Sequence, residues 1–155
     1  MILYLVQRGK AEARGDNEPR TLTEKGRREL TLMVDFIARR NIENPIRICH
    51  SGKIRASQTA ELLASGFKME PELLESDALS PMDDPTIWAG RLEDEIENLM
   101  LVGHMPHISR LTSLLLTGDA DTTPVQIRNG GIVCLYRDPG RHWALEWYIT
   151  PYLLA

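Results

Sequence analysis

Three places in this chain set cationic or imidazole side chains directly behind a short apolar run: Gln7-Arg8-Gly9, His50-Ser51-Gly52 and Gly103-His104-Met105-Pro106-His107. The runs at residues 2–6 and 99–102 are continuous and apolar, the pattern of strands buried on both faces, and residues 46–49 read as another short buried strand. In an open parallel sheet the carboxyl ends of such strands converge on a crevice where ligands bind. A helix that begins just after the strand also offers backbone N–H groups suited to phosphate. Arginine and histidine gathered at these ends point to an anionic small ligand.

The elements that must position these residues follow from spacing. Residues 7–21 are rich in Gly, Arg, Asp, Asn and Pro and read as a loop. Leu30, Met33, Val34 and Ile37 then recur at helical spacing as far as Arg40, with Thr23 as N-cap or, alternatively, Thr21 and Glu24 as a capping box. Pro45 precedes the second strand. Ala56, Ala60, Leu63 and Ala64 mark a helix over residues 55–65 that ends at Gly66. Residues 70–74 suggest a short edge strand. Asp84-Pro85 reads as an N-cap with proline at the first helical position, opening a helix to about Asn98. Residues 106–116 form a further helix whose Leu111, Leu114 and Leu115 face the core. Residues 131–136 and 143–149 alternate as strands across Asp138-Pro139-Gly140, a hairpin. Strands alternating with helices define an α/β fold of three layers, α/β/α: a mostly parallel central sheet, helices on both faces, and a late antiparallel hairpin.

Composition narrows the class. The chain has 155 residues, 43% of them hydrophobic and 26% charged. A chain of this length buries roughly two thirds of its unfolded surface, enough for one core. No repeat or linker divides it, so a single domain over residues 1–155 is expected. A formal net charge of −4 argues against a nucleic-acid partner, which requires a cationic face to displace counterions. The pairs Arg27-Arg28 and Arg39-Arg40 sit beside acids in a helical pattern, a solvated face. Cys49 and Cys134 lie among apolar strand residues and are expected as buried thiols in a reducing compartment. The first apolar run has no basic leader and is too short for a signal peptide or a membrane span. A cytoplasmic protein with no membrane partner is expected.

At the strand ends the sequence resembles the histidine phosphatase superfamily, which has the phosphoglycerate mutase-like fold, and within it the short SixA-type phosphohistidine phosphatases. Leu3-Tyr4-Leu5-Val6 followed by Gln7-Arg8-Gly9-Lys10-Ala11 resembles the opening strand and the Arg-His-Gly signature. Arg20-Thr21-Leu22-Thr23-Glu24-Lys25-Gly26 resembles the start of the first helix, and Ser51-Gly52-Lys53-Ile54-Arg55-Ala56-Ser57-Gln58-Thr59-Ala60-Glu61 the second block. Leu101-Val102-Gly103-His104-Met105-Pro106 resembles the block of the second histidine, and Leu79-Ser80-Pro81 with Asp83-Asp84-Pro85 is similar to the short branch. The resemblance implies a phosphate-binding arginine at Arg55 and an active-site histidine at His104. It also implies phosphoryl transfer to a histidine nucleophile, with water hydrolysing the phosphohistidine and no cofactor. The ligand implied is phosphate, a phosphorylated small molecule or a phosphohistidine-bearing protein.

One position departs from the pattern. Aligned without gaps, the family's arginine falls on Gln7 and its nucleophilic histidine on Arg8. A guanidinium titrates above about 12 and has no acceptor lone pair, so it cannot attack phosphorus. Sliding the alignment by one residue leaves Gly9 at the histidine position. The usual chemistry is therefore expected to be absent or severely weakened. Anion binding is not: Arg8 adds a cation, Arg55 remains, His104 can donate, Gln7 can donate through its amide, and Arg20 can reach in from the loop.

Other readings compete. His50, at the tip of the second strand, is either a substitute nucleophile or general base, giving an active phosphatase, or a bystander. Cys49, His50, His104 and His107 are the right atoms for zinc, but Cys49 is expected to point into the sheet, and no metal is expected. A protein-interaction module that keeps the fold without a small ligand is the third reading. His107 reads as a helix-start residue, His142 as surface or strand, and Asp83 and Asp84 as loop and cap residues rather than a general acid.

Overall fold

The computed structural model describes residues 1–13 and 19–155, so residues 14–18 of the expected loop lie outside it. Its elements run β1 (Ile2–Gln7), α1 (Glu24–Arg40), β2 (Arg47–His50), α2 (Ile54–Ala64), β3 (Glu72–Glu75), α3 (Pro85–Glu93), β4 (Leu99–Gly103), α4 (His107–Thr117), β5 (Ile132–Arg137) and β6 (Trp143–Ile149), followed by a 3-10 turn at Pro151–Leu153. The sheet order is β3-β2-β4-β1-β5-β6. Strands β3, β2, β4 and β1 are mutually parallel, while β5 runs antiparallel to β1 and β6 antiparallel to β5. The chain's first strand thus sits at the centre, joining the parallel part to the hairpin.

Period-two alternation sends the side chains of β1 into two cores. Tyr4 and Val6 pack with Leu30, Met33 and Leu63 beneath α1 and α2. Leu3 and Leu5 pack with Trp88, Leu92, Ile108 and Leu111 beneath α3 and α4. This is the three-layer α/β/α arrangement expected. Cys49 and Cys134 are both buried free thiols, one in each core. Among the described residues no helix is long and apolar enough to cross a membrane.

Local details refine several expectations. Thr23 is the N-cap of α1: its Oγ1 accepts from the Gly26 N–H at 2.9 Å. Asp84 caps α3 by accepting from the Thr86 N–H at 2.9 Å, with Pro85 opening the helix. That helix stops at Glu93 rather than near Asn98. The guanidinium of Arg137 donates to the carbonyls of Leu92 and Glu95, and Arg141 donates to that of Glu93. Side chains from the distant hairpin thus satisfy the carbonyls a longer helix would have used. The edge strand β3 lies at Glu72–Glu75, shifted from the expected residues 70–74. At the end of α2, Ser65 is the cap and is right-handed. Gly66 serves for close approach instead, since a Cβ there would lie 3.0 Å from the Val34 carbonyl.

Gly26 carries a larger consequence. A Cβ on it would sit 2.2 Å from the Lys10 carbonyl oxygen, which also accepts from the Thr23 N–H at 2.9 Å. The bare face of α1 is what lets the segment after β1 lie against the helix start. Alanine normally stabilises a helix relative to glycine by roughly 0.5–1 kcal/mol. Gly26→Ala is expected to act in the opposite sense, with a net loss of about 1–3 kcal/mol from overpacking, read as a lowered midpoint in urea. A more stable variant would contradict this packing.

Candidate functional site

The parallel strands β1, β2 and β4 end side by side, with Gln7 opposite Gly103 and His50 opposite Val102 in register. The Arg8 N–H extends the ladder by donating to the Gly103 carbonyl at 2.9 Å. One face of α2 then fixes the loop that follows. Thr59 Oγ1 donates to the Arg55 carbonyl at 2.7 Å and accepts from the Gly9 N–H at 3.0 Å. Gln58 accepts from the Leu22 N–H at 2.9 Å. Residues 55, 58 and 59 lie on one helical face by spacing alone, so the same turn that carries Arg55 also holds the backbone next to Arg8.

Arg8 is half-buried. Among the described residues its Nη1 donates to the Gly9 carbonyl at 3.2 Å, and its Nε is buried with no hydrogen-bond partner. Burial pushes its guanidinium down from the ordinary arginine range, and the charges of Arg55 and Arg20 add to the effect. Among the described residues no carboxylate pairs with Arg8, and a half-buried cation held among other cations is unfavourable unless an anion or water completes it.

His104 is 2% exposed. Its pKa is pushed down to about 3, first by burial and then by the charges of Arg55, Arg8, Lys53 and His107. The ring is therefore neutral at physiological pH. Its Nε2 lies 2.6 Å from Ser51 Oγ, while its Nδ1 is buried without a hydrogen-bond partner among the described residues. Beside it, α2 starts with no side-chain cap on its first turn, after a left-handed Gly52 at φ 88°. Uncapped N–H groups of this kind are available to an anion.

The structure thus brings Arg8, Arg55 and His104 together, with Arg20 close enough to act on Arg8. Arg20 also donates through Nε to the Glu12 carbonyl at 2.9 Å. Gln7 is 9% exposed, and its amide donates to Asn129 Oδ1 at 2.7 Å, so part of its donor capacity is already used. His50 sits differently. Its Nδ1 accepts from the Gly52 N–H at 3.1 Å, and the charges acting on it are the carboxylates of Glu75 and Glu61. Cys49 packs in the apolar core, and His107 is fully buried with neither ring nitrogen hydrogen-bonded among the described residues. Among the described residues no three His, Cys, Asp or Glu side chains are grouped to hold a metal. Ser51, Lys53, Thr59 and Asn129 were not singled out from sequence. For Ser51 and Lys53 the available signal was their place between a buried strand and a helix start.

A cleft of about 670 Å³ opens beside Ser51, with Glu75, Asp77, Ser80 and Asp83 among its walls. Two of these carboxylates are already engaged, Asp77 with Arg91 at 2.9 Å and Asp83 with the Ser80 N–H at 2.9 Å. A second groove of about 510 Å³ lies under the hairpin near Arg137 and Trp143, where Arg137 is already bonded to helix carbonyls.

This architecture is the fold of the histidine phosphatases. The protein histidine phosphatase SixA, solved in complex with tungstate, superposes with a TM-score of 0.86 at 21% identity over 100% of both chains. The alpha-ribazole phosphatase of Shigella flexneri superposes at 0.77 with 13% identity over 97% of each chain. The phosphoserine phosphatase of Entamoeba histolytica, solved with 3-phosphoglyceric acid, superposes at 0.70 with 16% identity over 99% of each. No protein-family model matches the chain, and no curated protein matches its sequence.

Proposed function

We propose that this protein is a SixA-like member of the histidine phosphatase superfamily that binds a phosphoryl group between Arg8, Arg55 and His104 and is catalytically impaired. The observation that carries this reading is the cluster itself: Arg8, Arg55 and Lys53 act on a neutral, buried His104 at the carboxyl ends of β1, β2 and β4, and Arg20 acts on Arg8. Charge neutralisation and positioning are what phosphoryl recognition demands. The impairment rests on side-chain chemistry, because Arg8 has no lone pair to offer phosphorus.

The ligand is phosphate, a phosphorylated small molecule or a phosphohistidine-bearing protein. The open cleft next to Ser51 leaves room for the remainder of such a molecule. With a net charge of −4, the protein takes the phosphoryl group through a local cluster and not through an overall field.

The test is oxyanion binding by calorimetry, using phosphate and tungstate. A hydrogen bond to a charged group contributes about 1.5–3 kcal/mol, so Arg55→Ala is expected to weaken binding by roughly 10- to 100-fold. Unchanged affinity in Arg55→Ala, or a wild type that binds neither anion, would overturn the reading.

A further inference from the structure

We propose that Ser51 is an additional donor of the oxyanion site, its hydroxyl hydrogen aimed at the ligand because His104 and the Lys53 N–H occupy both of its lone pairs. The proposal deepens the phosphate-binding reading and rests on it. It changes the part played by His104, which becomes a positioning residue acting through Ser51.

The argument is a count of hydrogens. A serine hydroxyl has one hydrogen to give and two lone pairs to receive. The Lys53 N–H donates to Ser51 Oγ at 3.4 Å. The second contact, 2.6 Å to His104 Nε2, runs in a direction set by the tautomer of the ring. His104 is neutral, so only one of its nitrogens carries a hydrogen. If that nitrogen were Nδ1, a buried N–H would be left with no acceptor among the described residues, and orphaned N–H groups are rarer than unfilled lone pairs. It would also lie in the positive potential of Arg55, Arg8 and Lys53. With the hydrogen on Nε2, Ser51 accepts it, and the bare Nδ1 lone pair is favoured by that same potential. The Ser51 O–H then has no acceptor among the described residues. It lies on a wall of the open cleft, at the junction that also supplies Lys53 and Arg55.

The same count separates this role from nucleophilic catalysis. A serine nucleophile needs a base with a lone pair directed at its hydrogen. In this tautomer His104 presents a hydrogen to Ser51 instead.

Tungstate affinity is measured for wild type, Ser51→Ala, Ser51→Thr and Arg55→Ala, together with unliganded thermal midpoints. Ser51→Ala is expected to lose about 10-fold or more in affinity and to lower the unliganded midpoint, since the buried His104 N–H loses its acceptor. Ser51→Thr, which keeps the hydroxyl, is expected to stay within a few-fold. Nitrogen-15 correlation spectra of the unliganded protein are expected to place the His104 hydrogen on Nε2. If Arg55→Ala loses binding while Ser51→Ala binds as wild type does, the role of Ser51 is overturned and the phosphate reading stands. If wild type binds no tungstate, both fall. A hydrogen on Nδ1, or a phosphoserine at Ser51 after incubation with acetyl phosphate, would assign Ser51 to a different chemistry and overturn the proposal.

Discussion

Arg8→His is expected to raise turnover of a simple phosphate monoester, and Gln7→Arg combined with Arg8→His to raise it further, by about 10³-fold or more over wild type. Removing a nucleophile that works as a unit with its neighbours costs up to about 10⁶-fold in other enzymes, while the oriented binding groups left behind still give roughly 10³-fold over water. Wild type is expected at that residual level. The site favours the introduced imidazole, because Arg55 and Arg20 act on position 8 and would keep the ring unprotonated, with its lone pair available. The second substitution is compatible with the fold. Gln7 donates to Asn129 Oδ1 at 2.7 Å, and an arginine N–H can keep that contact while adding the charged fork. The more telling readout is an acid-labile phosphoenzyme in the variants and none in wild type. Brisk hydrolysis of phosphohistidine by the unaltered protein would refute the inference from Arg8. His50→Ala would then be the next variant to examine.

Stability is expected to fall as the solution is acidified from pH 7 to pH 5. His104 is neutral in the fold with a pKa of about 3, while an unfolded imidazole titrates near 6.5. Between those values the unfolded chain binds more protons than the folded one. Stability therefore rises with pH across this window and is lost as pH drops below about 6.5. At pH 5 the loss from His104 alone is on the order of 2 kcal/mol. His107, lowered chiefly by burial against a partly opposing Asp83, acts in the same direction. Urea unfolding at the two pH values measures the difference, and His104→Gln should flatten it. An oxyanion in the site would offset the charges of Arg55, Arg8 and Lys53 and raise the His104 pKa. Sulfate, whose own charge is constant over this range, should then bind more tightly at pH 5 than at pH 7, with proton uptake visible by calorimetry in two buffers. Stability that does not change between pH 7 and pH 5 would contradict a buried neutral His104.

Much of the fold was legible because its signals are local. The runs at residues 2–6 and 99–102 are apolar without interruption, short and ended by polar residues, the pattern of a strand covered on both faces. Thr23 and Asp84-Pro85 announce helix starts through side chains that act within three residues of themselves. The end of α3 was not legible, because its last carbonyls are taken by Arg137 and Arg141 from a hairpin more than 40 residues away. The sheet's strand order was equally hidden. Periodicity marks β5 as a strand but carries no information that it lies against β1.

The candidate site divides along the same line. That Arg8 has no lone pair is a property of one side chain, complete in the sequence, and no packing alters it. That polar groups follow three buried strands is likewise a matter of order along the chain. Whether His104 is charged, which of its nitrogens meets Ser51, and how far Gln7 is committed to Asn129 are tertiary facts. The first depends on burial and on the summed potential of Arg55, Arg8 and Lys53. The other two depend on partners 53 and 122 residues distant. Charge and hydrogen-bond direction are set by what surrounds a group in space, and only the folded chain brings those surroundings together.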